Sequence, residues 1–105
     1  MSDRELLELA AKAAGIEGEW STSGLWHRHV LWNPLVDDGD ALRLAVKLNL
    51  LVMPYPLDNA VRVVEWRGDN EWPVNTVVSY GTPPDPYAAT RRAIVRAAAE
   101  IGRTM

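Results

Sequence analysis

The sequence predicts a single α+β domain, and three observations carry that expectation. Three segments repeat apolar residues at helical spacing behind a capping residue. Between them lie segments that alternate with period two or run short and apolar, as strands do. Two of the strand candidates, Ala60 to Arg67 and Glu71 to Tyr80, are joined by a short polar turn and so pair antiparallel. At 105 residues and 48% hydrophobic composition, the chain has the size and the apolar content for one core.

Ser2 and Glu5 stand at capping-box spacing, with the hydroxyl accepting from the amide three residues on and the carboxylate reaching back. A first helix over about 3–14 follows, its stripe formed by Leu6, Leu9, Ala10 and Ala13 and widened by Leu7 and Ala14. Gly15 and Ile16 supply the left-handed stop and its apolar contact. Glu17 to Gly24 reads as a loop or short edge strand around Trp20. Leu25 to Trp32 then reads as one strand, with Trp26, Arg28, Val30 and Trp32 on one side and Leu25, His27, His29 and Leu31 on the other. Asn33-Pro34 ends it, because proline has no N–H to donate.

Asp37 or Asp38 caps a second helix, and Asp40 adds negative charge at the positive end of its dipole. Its stripe is Leu42, Ala45, Val46 and Asn49, widened by Ala41, Leu44 and Leu48; Asp40, Arg43 and Lys47 form the solvated face. The helix is expected to end near Asn49, followed by a short apolar run, Leu50 to Met53, and a break at Pro54-Tyr55-Pro56. Asp58-Asn59 and Gly68-Asp69-Asn70 are turns bounding a strand from Ala60 to Arg67, and Glu71 to Tyr80 is its hairpin partner. Which side of this hairpin faces inward, Val61/Val63/Glu65 or Arg62/Val64/Trp66, is left open by the alternation. After the stiff Gly81-Thr82-Pro83-Pro84 connection, Asp85 caps and Pro86 opens a third helix. Tyr87, Ile94, Ala97, Ala98 and Ile101 form its expected buried stripe, and Gly102 its end.

Composition excludes several functions. A net charge of −3 from 14 acids and 11 bases gives no general attraction for a polyanion, so nucleic acid is an unfavoured partner. With no cysteine there are no disulfides, thiol nucleophiles or thiolate metal sites, which suits a reducing, cytoplasmic setting. The first residues mix charges without signal-peptide order, and no apolar run approaches the ~18 residues of a membrane span. No membrane association is therefore expected.

Trp32-Asn33-Pro34, the acid-capped segment from Asp37 to Leu48, and Asp85-Pro86-Tyr87-Ala88-Ala89 running into Arg91-Arg92-Ala93-Ile94-Val95-Arg96-Ala97-Ala98 together resemble the phage αβα-sandwich family of small phage and prophage proteins. The resemblance covers most of the chain in order, though not the Leu50 to Asn59 segment or the His27/His29 strand. It implies a three-layer αβα sandwich, a small, mainly antiparallel sheet flanked by three helices, and a phage or prophage origin. It brings no catalytic residues with it.

Candidate chemistry is sparse. His27 and His29 share one face of the expected strand at a spacing that suits zinc, but a third protein ligand is missing from the pattern, and a solvated strand face explains them more simply. Asp37, Asp38 and Asp40 lack the alternating oxygen ligands and distant glutamate of a calcium loop, and capping accounts for them. Arg92, Arg96 and Arg103, with Arg91 alongside, form the one local basic excess, with Glu100 placed to pair with Arg96. They read as a solvated helix face before a phosphate-binding one. Trp26, Trp32, Trp66 and Trp72 sit on strands or strand ends, where they either replace the absent phenylalanine in the core or frame an exposed aromatic patch. No nucleophile elbow or Gly-rich phosphate loop occurs. The expectation is a protein without enzymatic activity or cofactor, a phage or prophage accessory protein binding a host or phage protein through Trp26, Trp32, Trp66, Trp72, Arg92 and Arg96. Self-association as a homodimer is compatible with it. The rival readings are a nucleic-acid accessory using the C-terminal helix and a small metal-dependent enzyme using the histidines.

Overall fold

The computed structural model describes residues 1–66 and 74–105. Its elements are α1 (Asp3–Ala14), β1 (Glu19–Ser21), β2 (Gly24–His27), β3 (Val30–Trp32), α2 (Asp38–Lys47), β4 (Leu50–Tyr55), β5 (Ala60–Glu65), β6 (Asn75–Ser79) and α3 (Pro86–Arg103), with one 3-10 turn at Pro56–Asp58. The class is α+β, a small sandwich of three helices and two antiparallel three-stranded sheets, ordered β1-β2-β3 and β4-β5-β6. Helix α3 is packed against α1, α2 and all three strands of the second sheet.

The first helix follows its local code. Ser2 Oγ accepts from the Glu5 amide at 3.1 Å, and Glu5 accepts from the Ser2 amide at 3.4 Å, completing the capping box. Gly15 ends it at φ 70°, and the Ile16 amide donates back to the Ala11 carbonyl at 2.9 Å. Leu6, Leu7, Ala10, Ala11 and Ala14 are buried.

The segment expected as one strand from Leu25 to Trp32 is a hairpin. The chain reverses at Arg28 and His29, both with positive φ (52° and 66°), so β2 pairs with β3 and Leu25 faces Trp32. Burial supplies the reason. In one extended strand Leu25 and Trp32, seven residues apart, would point to opposite sides, whereas across the hairpin they share a side and both are buried. A two-residue turn with two positive φ angles ordinarily carries Asn-Gly, and Arg-His gives no such signal. The small sheet is tied to α1 by Arg4, whose guanidinium lies 4.5 Å from the Trp20 ring centroid.

Helix α2 is rotated from its expected orientation. Leu42 and Val46 are 64% and 69% exposed, while Asp40, placed on the solvated face by the sequence, is buried with Ala41, Leu44 and Ala45. Asp40 fixes that rotation: one carboxylate oxygen accepts from the Asn33 amide at 2.9 Å and the other from Arg43 Nη2 at 2.7 Å. The Trp32-Asn33-Pro34 turn is thereby fastened to the helix. Asp37 is the cap, accepting from the Asp40 amide at 2.8 Å. The helix closes at Lys47, before Asn49 takes φ 56°.

The second sheet has one strand more than the hairpin read from the sequence. Leu50 to Tyr55 forms β4 straight through Pro54, on the edge of the sheet. The Trp66 amide donates to the Asn49 carbonyl at 2.9 Å, so Leu51, Met53 and Tyr55 occupy the hydrogen-bonded positions. Pro54 falls between them, where its missing N–H breaks no bond. Val61 and Val63 are fully buried in the common core with Val78, which settles the inward side of the sheet. The expected Gly68-Asp69-Asn70 turn and the start of the last strand lie outside the described residues.

Asp85 accepts from the Ala88 amide at 3.0 Å and opens α3 with Pro86 in its first turn. Ala89, Ala93, Ile94, Val95, Ala97, Ala98 and Ala99 are buried. Tyr87, expected in this stripe, is 73% exposed, because it sits in the first turn ahead of the covered length of the helix. Gly102 is not the stop. It lies inside the helix, which runs to Arg103, and a Cβ there would overlap the Leu9 carbonyl oxygen of α1. Among the described residues no helix is long and apolar enough to cross a membrane.

Two outcomes follow for stability. Gly102→Ala forces α1 and α3 apart and is expected to lower unfolding free energy by about 1–3 kcal/mol in urea titration. Replacing Arg28-His29 by Asn-Gly removes two unfavourable left-handed residues and is expected to raise it by ~1 kcal/mol or more in the same assay.

Candidate functional site

The structure separates the two histidines. His27 ends β2 and His29 lies in the turn, so they do not share a strand face. The His27 ring is engaged locally: Nδ1 lies 2.6 Å from the Glu17 carbonyl oxygen and, facing an acceptor, carries its proton. Among the described residues no three His, Cys, Asp or Glu side chains are grouped to hold a metal ion.

The arginines of α3 are largely drawn into internal contacts. Arg91 donates from Nε to the Leu35 carbonyl at 2.9 Å and from Nη1 to Asp38 at 2.7 Å, which ties α3 to the start of α2. Arg92 meets Asp3 at 2.9 Å and so joins α3 to the first turn of α1. Glu100 pairs with Arg103 at 3.1 Å, not with Arg96 as its spacing suggested. Arg96 is exposed and has no ion pair among the described residues. The basic stripe is thus three positioned arginines and one solvated one, and the acids beside them cancel much of its field.

The tryptophans divide. Trp32 is 7% exposed and belongs to the core, so it drops out of any contact surface, and it pairs with buried Leu25 across the hairpin. Trp20 is half-buried under Arg4. Trp26 and Trp66 are 46% and 41% exposed, but they stand on different sheets. Trp72 lies outside the described residues.

A broader apolar surface comes from the second sheet. On the side away from Val61 and Val63, the strand pairing aligns Leu51, Met53 and Tyr55 of β4 with Val64, Arg62 and Ala60 of β5 and with Asn75, Val77 and Ser79 of β6. Leu51, Tyr55 and Val77 are exposed large apolar side chains, Val64 beside Leu51 is buried, and Trp66 continues the same side by alternation. Arg62 donates from Nε to Asn75 Oδ1 at 2.8 Å across this side and places one positive charge within it. Leu57, in the turn at the end of this sheet, is exposed almost completely. Only Trp66 of this set was marked by the sequence. Leu51 and Tyr55 were missed because Pro54 made Leu50 to Tyr55 read as a run and a break, which hid its period-two alternation. A second apolar exposure lies between α2 and α3, where Leu42, Ala45, Val52, Tyr87 and Ile94 line an open groove of about 380 Å³.

No family model, curated protein or solved structure matches the chain.

Asp40 provides the check on this arrangement. Asp40→Ala leaves the Asn33 amide without its acceptor and frees Arg43, with an expected loss of about 1–3 kcal/mol in thermal or urea unfolding. Leu42→Ser, on the exposed side of the same helix, is expected to change stability by no more than ~0.5 kcal/mol.

Proposed function

We propose that this protein acts by binding another protein and not by catalysis, through the outer side of the second sheet. The observation that carries the reading is the set of apolar side chains, Leu51, Tyr55, Trp66 and Val77, aligned on one sheet face and exposed. Isolated exposed apolar residues are ordinary, but several large ones gathered on one side of a single sheet are the pattern of a contact surface. Aromatic anchors beside aliphatic neighbours are also the composition of interface hot spots.

The resemblance of the Trp32-Asn33-Pro34 turn and of the α3 sequence to the phage αβα-sandwich family supports a phage or prophage accessory role. On that reading the partner is a host factor or a component of host defence, met in the cytoplasm. The surface arginines do not favour a polyanion, since Arg91, Arg92 and Arg103 each have an acidic neighbour.

Val77→Arg puts a second positive charge beside Arg62 in the middle of this face, at a position 59% exposed where folding is little affected. In paired pull-downs from host lysate, the unaltered chain is expected to retain a partner at near-stoichiometric level that Val77→Arg and Leu51→Arg lose, while thermal midpoints stay together. Recovery of the bait alone, or the same retained protein with all three baits, would overturn the reading.

A further inference from the structure

A cavity of about 360 Å³ opens between the first sheet, the end of α1 and one side of α2, far in sequence from the apolar sheet face. Its size lies in the range of small-molecule sites. Ile16, Leu31, Trp32 and Leu44 supply an apolar wall, and the polar groups are confined to His27, Asp40, Arg43 and Lys47. This division suits a ligand with an apolar body and one polar end.

The charges select that end. Asp40 is the one carboxylate lining the cavity, and both its oxygens are occupied, one by the Asn33 amide and one by Arg43. It therefore presents neither a free acceptor nor an uncompensated charge. Arg43 and Lys47, four residues apart, lie on one side of α2 and are both exposed at the mouth. Lys47 has no ion pair among the described residues. Its charge is the unbalanced one. The His27 ring is held by the Glu17 carbonyl through Nδ1, so its orientation is set in advance and it adds no negative charge.

We propose that this cavity binds an amphipathic monoanion, an aliphatic or aromatic carboxylate of modest size. The apolar body lies against Ile16, Trp32 and Leu44, and the carboxylate meets Lys47 with Arg43 beside it. A cation would meet the unbalanced charge of Lys47, and a neutral hydrocarbon would leave Lys47 unused. The combination of one surplus positive charge with an apolar wall matches a singly charged amphiphile.

The test uses octanoate and indole-3-acetate as charged probes, with octanol and 3-methylindole as neutral counterparts, in calorimetry and in amide spectra of the whole chain. At least one carboxylate is expected to bind saturably, about tenfold more tightly than its neutral counterpart, with shifts centred on His27, Leu31 and Lys47. Lys47→Gln, at an exposed position, is expected to erase that preference while leaving weak binding of the neutral probe. No saturable binding of either carboxylate would overturn the proposal, as would equal affinity for the neutral counterparts or an unchanged preference in Lys47→Gln. Val77→Arg is expected to leave probe binding unchanged, so the fate of this site and that of the sheet surface are read separately.

Discussion

The structure depends on the close crossing of α1 and α3. Gly102 lies against the Leu9 backbone, and Ala10, Ala93, Ala97, Ala98 and Ala99 are all fully buried. Small side chains permit this approach, and little else would: one added methyl at Gly102 overlaps a carbonyl oxygen. Dense packing of small groups gains dispersion contacts at low side-chain entropy cost, which suits a short chain with a limited core. Because α3 also covers the second sheet and touches α2, its position relative to α1 sets the frame in which every other element is placed.

Polar side chains lock that frame at its corners. Asp40 holds the turn after β3, Arg91 holds the turn before α2 through the Leu35 carbonyl, and Arg92 bridges to the first turn of α1. Such contacts contribute modestly to stability where solvent reaches them, yet each specifies one geometry among several that the apolar pattern permits. Asp3, Glu5, Asp37, Asp40, Asp85, Arg91 and Arg92 are engaged in starting helices or joining them.

The outer side of the second sheet and the cavity beside α2 differ in physical character. The outer side of the second sheet exposes Leu51, Tyr55 and Val77 around Arg62, which favours a macromolecular surface. The cavity beside α2 is concave and carries a surplus cation, which favours a small anion with an apolar body. They involve different elements, so one chain has room for both, and occupation of the cavity touches the hairpin and α2 rather than the sheet face.

The sequence by itself determined the local starts and stops: the Ser2 box, the Gly15 stop, the Asp85 cap and an acidic cap at Asp37 or Asp38, and with them the three helices and the α+β class. Those signals are legible because each arises from groups within four residues of one another. Tertiary structure alone decided the hairpin at Arg28-His29, the inward rotation of Asp40, the strand through Pro54 and the role of Gly102. In each case a contact remote in the chain outweighs local preference: Leu25 with Trp32, Asp40 with the Asn33 amide, β4 with β5, and Gly102 with Leu9. The exposed apolar face was hidden for the same reason, since the burial of one side of a strand depends on what covers it, and only the packed helices determine that.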